Sequence, residues 1–198
     1  VCRRYGTKIY SYDVVNEAVE PETSRIRDTP VTRAMGGEAM LDLMFHTARA
    51  EAPHAQLVYN DYMDWGSTVH RNGVLDLLGG FRDRNVPVDT LGIQSHIGFY
   101  SAGTAQSIAD AQIPAMRTWL DQVTGLGYKL IITEFDVSDQ NRTGTIEQRD
   151  AVVGRRGSAP RMLDDVMDLA PRRGDMASGD EALCVAQQDR SPLVNGED

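Results

Sequence analysis

The chain is poor in the features that mark several large classes of protein. It has two cysteines in 198 residues, Cys2 and Cys184, near opposite ends. One distant pair makes no disulfide framework and no zinc-ligand spacing. The four histidines, His46, His54, His70 and His96, form no His-Glu-x-x-His cluster. Positive charge is also scarce: 20 Lys and Arg stand against 29 Asp and Glu, for a net charge of -9. That argues against a nucleic-acid partner, which would want a basic stripe. A neutral or weakly charged substrate is compatible with it, though not identified by it. No apolar run approaches the roughly 18 residues of a membrane span, so no membrane partner is expected. No glycine-rich phosphate loop follows any strand-like run. No secretory leader opens the chain. It starts at Val1 without an initiator Met and so reads as a piece of something longer. Compartment is not legible directly.

What is present is enough for one domain with a real core: 41% of residues are hydrophobic and 25% charged. Short apolar runs alternate with longer helix-like stretches. Lys8 to Val15 reads as a strand and the polar stretch Glu20 to Thr32 as a long loop. Glu38 to Ala52 reads as a helix, with Met40, Leu43, Met44, Thr47 and Ala48 as its apolar stripe and Pro53 beyond its end. Gln56 to Tyr59 is the next strand, running into Asn60-Asp61-Tyr62. Val74, Leu77, Leu78 and Phe81 mark a second long helix, and Thr90 to Ile97 a third strand. Met116, Leu120 and Val123 mark a further helix, ended by Gly125 and Gly127. Tyr128 to Glu134 is the fourth strand. Four βα units in series predict an α/β fold with a parallel sheet, closed either as an open doubly wound sheet or as a (β/α)8 barrel. Polar residues cluster at the C-terminal ends of the strands, where barrels build their active sites. A complete barrel runs about 250 residues, so four units are about half of one. Residues 151–198 break the pattern. Arg149 to Leu169 could form an amphipathic helix but is interrupted by Gly154, Gly157 and Pro160; from Ala170 onward the chain is rich in Gly, Asp and Arg, shows no strand, and is expected to have low order.

Two segments end a strand-like run in a glutamate: Tyr12-Asp13-Val14-Val15-Asn16-Glu17-Ala18 and Leu130-Ile131-Ile132-Thr133-Glu134-Phe135-Asp136. Sugar hydrolysis with a paired acid/base and nucleophile needs two carboxylates held rigidly about one bond, and buried strand ends hold them so. Side chains alternate along a strand, so Glu134 and Asp136 are expected to share a face, as are Gln94 and His96. On neighbouring strands both pairs would converge on one mouth. His96, oriented by Asp136, would then donate to Glu134 and keep it ionised for nucleophilic attack. Glu17, partly buried beside another carboxylate, is expected to hold a proton as general acid. Singly, each residue has a structural reading: Asn16 as a helix cap, His96 as a hydrogen-bonded core histidine, Tyr62 and Trp65 as core or rim aromatics. Jointly, four successive strands presenting polar residues at one end point to a site.

The segments Asp13-Val14-Val15-Asn16-Glu17-Ala18, Tyr59-Asn60-Asp61-Tyr62, Gly92-Ile93-Gln94-Ser95-His96 and Ile132-Thr133-Glu134-Phe135-Asp136 resemble family 10 glycoside hydrolases, the endo-1,4-β-xylanases. The resemblance covers about residues 1 to 150. It implies part of a retaining (β/α)8 TIM barrel, its fourth to seventh strands, acting on xylan without a metal or organic cofactor. It implies Glu17 as acid/base and Glu134 as nucleophile, with His96 and Asp136 supporting the nucleophile. Asn16, Tyr62 and Gln94 would bind the sugar. It also implies a secreted or periplasmic protein. Tyr12 stands where the family usually has tryptophan, and the family's eighth-strand Trp-Gly motif is not found after residue 137. A shifted reading frame in the source gene is one explanation, since codons allowed for Glu181 to Gln188, read one nucleotide later, can spell a sequence like the family's. A different expectation is an inactive remnant, or a sugar-binding half-barrel without turnover. A related retaining β-glycosidase is the third reading, which Gln94-Ser95-His96 speaks against.

Overall fold

The computed structural model describes residues 1–63, 67–98 and 105–138. The segment 151–198 and Trp65 lie outside them.

Two short turns, a helix at Cys2–Tyr5 (α1) and a 3₁₀ turn at Gly6–Lys8, lead into the first strand, Ser11–Asn16 (β1). That strand starts three residues later than the apolar pattern predicts. Ladder pairing with the second strand, Gln56–Asp61 (β2), begins only at Ser11↔Gln56. The predicted loop between them is shorter at its far end. Pro30–Met35 forms a helix (α2), opened by a reciprocal capping box between Thr29 and Thr32 with Pro30 in the first turn. Gly37–Glu51 follows as α3. Thr68–Asp83 (α4), Thr90–Ile93 (β3), His96–Gly98 (β4), Ala105–Gly125 (α5), Lys129–Ile132 (β5) and Asp136–Ser138 (β6) complete the order. The third predicted strand is thus interrupted at Gln94–Ser95, and the fourth, expected to run to Glu134, stops at Ile132, with Thr133–Phe135 separating it from β6. Their continuations, β4 and β6, pair only with each other.

The main sheet is parallel with order β1-β2-β3-β5. Its register fixes two faces. Leu57, Tyr59, Leu91 and Ile93 pack against the helices in a core with Phe45, Val74, Leu78, Phe81, Trp119 and Leu120. Phe81 meets Phe45 and Tyr59 edge-on, at centroid distances of 5.3 and 6.3 Å. The predicted stripes of α4 and α5 are buried, but that of α3 is rotated. Leu41 and Phe45 are buried, whereas Leu43 and Met44 are 53% and 39% exposed.

The other face carries Val58, Asn60 and Gly92. A Cβ on Gly92 would lie 2.6 Å from Asn60 Oδ1 and 2.8 Å from Val58 Cγ1. Glycine is therefore what lets the side chains of β2 and Thr133 close over β3. This is the face that positions the site.

Candidate active site

The sheet ladder runs one step past the strand ends. The Glu17 amide donates to Asn60 O (2.9 Å), Gln94 N–H to Asp61 O (3.1 Å) and Glu134 N–H to Gln94 O (3.2 Å). Each candidate side chain is therefore fixed at its root by the neighbouring strand. Glu17 and Ser95 have left-handed backbones, with φ of 51° and 61°. Such conformations in non-glycine residues cost roughly 1–3 kcal/mol and persist where surroundings hold them. They turn the chain at the points where regular strand ends.

Three amides join the two glutamates. Gln94 Nε2 donates to Glu17 Oε1 (2.9 Å) and to Asn16 Oδ1 (3.1 Å). Asn60 Nδ2 donates to the same Asn16 oxygen (3.1 Å) and to Glu134 Oε1 (2.7 Å). Thr133 donates its hydroxyl to Asn60 Oδ1 (2.7 Å), which sets which end of that amide faces Glu134. His96 Nε2 lies 3.2 Å from Glu134 Oε2, so both oxygens of this carboxylate are engaged. Glu17 and Glu134 remain partly open, with side-chain exposures of 36% and 40%. Two carboxylates reachable by a ligand and tied to one rigid amide bridge suit a reaction needing an acid and a nucleophile about one bond.

The structure thus brings together Asn16, Glu17, Gln94, His96 and Glu134. Gln94 and His96 both reach the mouth, but by a turn at Ser95 rather than by the alternation of one continuous strand. Asp136 is placed by register opposite His96; its side chain lies outside the described residues. Tyr62 sits to one side, its hydroxyl accepting from Arg27 (3.4 Å) and its ring 4.8 Å from that of His70.

Two residues had no assigned role on sequence grounds and now have one in the geometry. Asn60 is the centre of the bridge; its signal was present, as an amide ending a strand run beside Asn16. Arg27 comes from the loop after β1. Its Nε donates to the Glu17 carbonyl (2.7 Å), and its terminal nitrogens lie 3.8 Å from the Glu17 carboxylate and 3.4 Å from that of Glu20. No spacing in the sequence announces it.

Behind the bridge, on the helix-facing side of β2, Asp61 is fully buried. It accepts from the Tyr59 hydroxyl, and His70 Nε2 is 3.5 Å from its other oxygen. Burial pushes its carboxyl up to about 7, against the opposing pull of the Tyr59 hydroxyl and the Tyr62 amide. Burial likewise raises Tyr59 well above the usual phenol range. On the open face, Asp13 is raised by burial and then by the charge of Glu134. Among the described residues no group of three His, Cys, Asp or Glu could hold a metal ion.

The profile of glycosyl hydrolase family 10 matches residues 1–159. Endo-1,4-beta-xylanase B of Paenibacillus barcinonensis is 32% identical over 139 residues, covering 70% of this chain and 39% of that protein. The solved family 10 structure from the same organism superposes with a TM-score of 0.70 at 25% identity, over 87% of this chain and 50% of the other. Xylanase 10B of Thermotoga petrophila, solved with xylobiose, shares the fold at a TM-score of 0.65 and 23% identity, over 85% of this chain and 46% of its own. The chain therefore spans about two-fifths to one-half of these three proteins. Four parallel strands alternating with helices, two strand-end glutamates and a profile match over most of the sequence agree, and the chain belongs to glycosyl hydrolase family 10.

Proposed function

We propose that this chain carries the reacting centre of a retaining endo-1,4-β-xylanase, on what would be the fourth to seventh strands of its barrel. Glu17 protonates the glycosidic oxygen as it leaves. Glu134 attacks the anomeric carbon and forms a glycosyl-enzyme ester. Glu17, now a base, takes a proton from water, which cleaves that ester and restores both residues. Xylan is the substrate, and xylobiose in the related Thermotoga petrophila structure supports that class of ligand. Asn16, whose amide oxygen is already occupied by Asn60 and Gln94, offers its N–H groups to the sugar 2-hydroxyl. Gln94 holds the Glu17 carboxylate, His96 holds Glu134, Asp136 is the second residue supporting the nucleophile, and Tyr62 lines the cleft.

The observation that carries this reading is the amide bridge from Glu17 through Gln94, Asn16 and Asn60 to Glu134. Its test is trapping. A 2-fluoro-xylobioside with an activated leaving group should label Glu134 covalently, seen by peptide mass mapping. The Glu134→Ala chain should lose both labelling and hydrolysis of xylan. Labelling elsewhere, or xylan turnover by that variant near the unmutated rate, would refute the assignment.

A second reading is favoured by one specific observation. β1 and β5 each have only one neighbour in the main sheet of the described residues. A sugar-binding half-barrel without turnover fits that. Purified 198-residue chain that binds xylo-oligosaccharide but releases no reducing ends would favour this second reading.

A further inference from the structure

We propose that Arg27 is the positioning residue of Glu17, clamping both the main chain and the carboxylate of that glutamate so that its proton is aimed at the leaving oxygen. This rests on the reading of Glu17 as acid/base.

The root of Arg27 is fixed. Its amide donates to Ala18 O (2.8 Å), and its carbonyl accepts from the buried Thr32 hydroxyl (2.8 Å), part of the capping box of α2. An antiparallel bridge, Val19↔Ile26, closes the intervening loop. The chain leaves β1 through Glu17, loops out and returns to place a planar guanidinium beside the residue it has just left. The fork then divides its contacts. Nε donates to Glu17 O; one terminal nitrogen faces the Glu17 carboxylate and the Tyr62 hydroxyl; the other faces Glu20.

Glu17 needs such a partner. Its left-handed backbone is costly for a side chain with a Cβ. Asn60 O fixes its amide and Gln94 fixes its carboxylate, but among the described contacts only Arg27 fixes its carbonyl. Losing it would free the peptide following Glu17 to relax toward an ordinary conformation, swinging the carboxylate off line. A lysine keeps the charge but has no fork with which to engage carbonyl and carboxylate together.

Acid assistance matters in proportion to how poor the leaving group is. The test therefore compares Arg27→Met and Arg27→Lys with Glu17→Ala, in the 198-residue chain, on aryl xylobiosides running from dinitrophenyl to unsubstituted phenyl. Arg27→Met should lose roughly 10- to 100-fold in kcat/KM, which reports the acid-assisted first step, on the phenyl substrate and less than about threefold on the dinitrophenyl one, with Arg27→Lys between. Equal losses on both substrates would show a merely structural role and overturn the proposal. A second readout needs no turnover. Amide exchange at Glu17, whose N–H is bonded to Asn60 O, should quicken about tenfold or more in Arg27→Met while amides of β2 and β3 keep their protection. Unchanged protection at Glu17 overturns the clamp. A Glu17→Ala chain without the leaving-group split would sink the acid/base reading instead, and amide exchange would then decide the clamp by itself.

Discussion

Asn60 sits between the glutamates with both ends of its amide committed: donors to Asn16 and Glu134, acceptor to Thr133. Asn60→Ala should lower kcat on xylo-oligosaccharides by roughly 10²-fold or more, because misplacement of a reacting group by about an ångström has that scale. Unlike loss of Arg27, it should do so for good and poor leaving groups alike, since it loosens Glu134, the proposed nucleophile. A second residue-scale prediction concerns Asp61. Its carboxyl is raised to about 7 in the fold, above its unfolded value. The folded chain therefore keeps this proton where the unfolded chain has lost it. The contribution is full at low pH and declines as pH rises from the unfolded pKa through about 7. Asp61→Asn removes that titration but keeps an oxygen for the Tyr59 hydroxyl. Relative to the variant, the unmutated chain should lose roughly 2–3 kcal/mol of stability between pH 5 and pH 8, read from urea melts at both. A parallel pH dependence in the two proteins would contradict it. That Glu17, Gln94, His96 and Glu134 meet at one mouth was legible in the sequence: the two glutamates follow apolar runs of strand type, and Gln94 and His96 lie toward the end of a third. Arg27 was not, because its contact is made by a loop returning ten residues later, which leaves no period to read.

At the scale of elements, α3 shows where pattern reading reaches its limit. Met40, Leu43, Met44, Thr47 and Ala48 recur at helical spacing, but so do Leu41 and Phe45 with Ala48. Periodicity finds two stripes and cannot choose. The choice is made in three dimensions, where Phe45 meets Phe81 of α4 and Leu41 joins the same core. Phe45→Ala should therefore cost roughly 3–5 kcal/mol in chemical denaturation, and Leu43→Ala no more than about 0.5 kcal/mol. Similar costs for the two would restore the stripe expected from sequence. The long helices α4 and α5 were correctly read because each has one dominant stripe. The break at Gln94–Ser95 and the early end of the fourth strand at Ile132 were not, since the residues there are as compatible with a strand as those before them. What ends the regular strand is the need to turn polar side chains toward one mouth, a requirement of the site rather than of local propensity.

At the scale of the molecule, the described sheet has two outer strands, β1 and β5, each with one bare edge in that sheet. Unpaired edges recruit further strands. The chain should associate with concentration, its weight-average sedimentation coefficient rising from about 1 to 100 μM. Association should strengthen with added salt, which screens the self-repulsion of a net charge of -9. A single monomeric species throughout would contradict this. The order of strands has a further consequence. Glu17 follows one outer strand and Glu134 the other, with β2 and β3 between. In a flat sheet three strand spacings would hold them about 14 Å apart, whereas retention of configuration requires roughly 5–5.5 Å. The gap is thus a gauge of how tightly the four strands are bent into an arc. An arc opened by only a few ångströms would admit a water molecule between the carboxylates, the separation of an inverting enzyme. The anomer first released from the polymer would then report the curvature of the sheet.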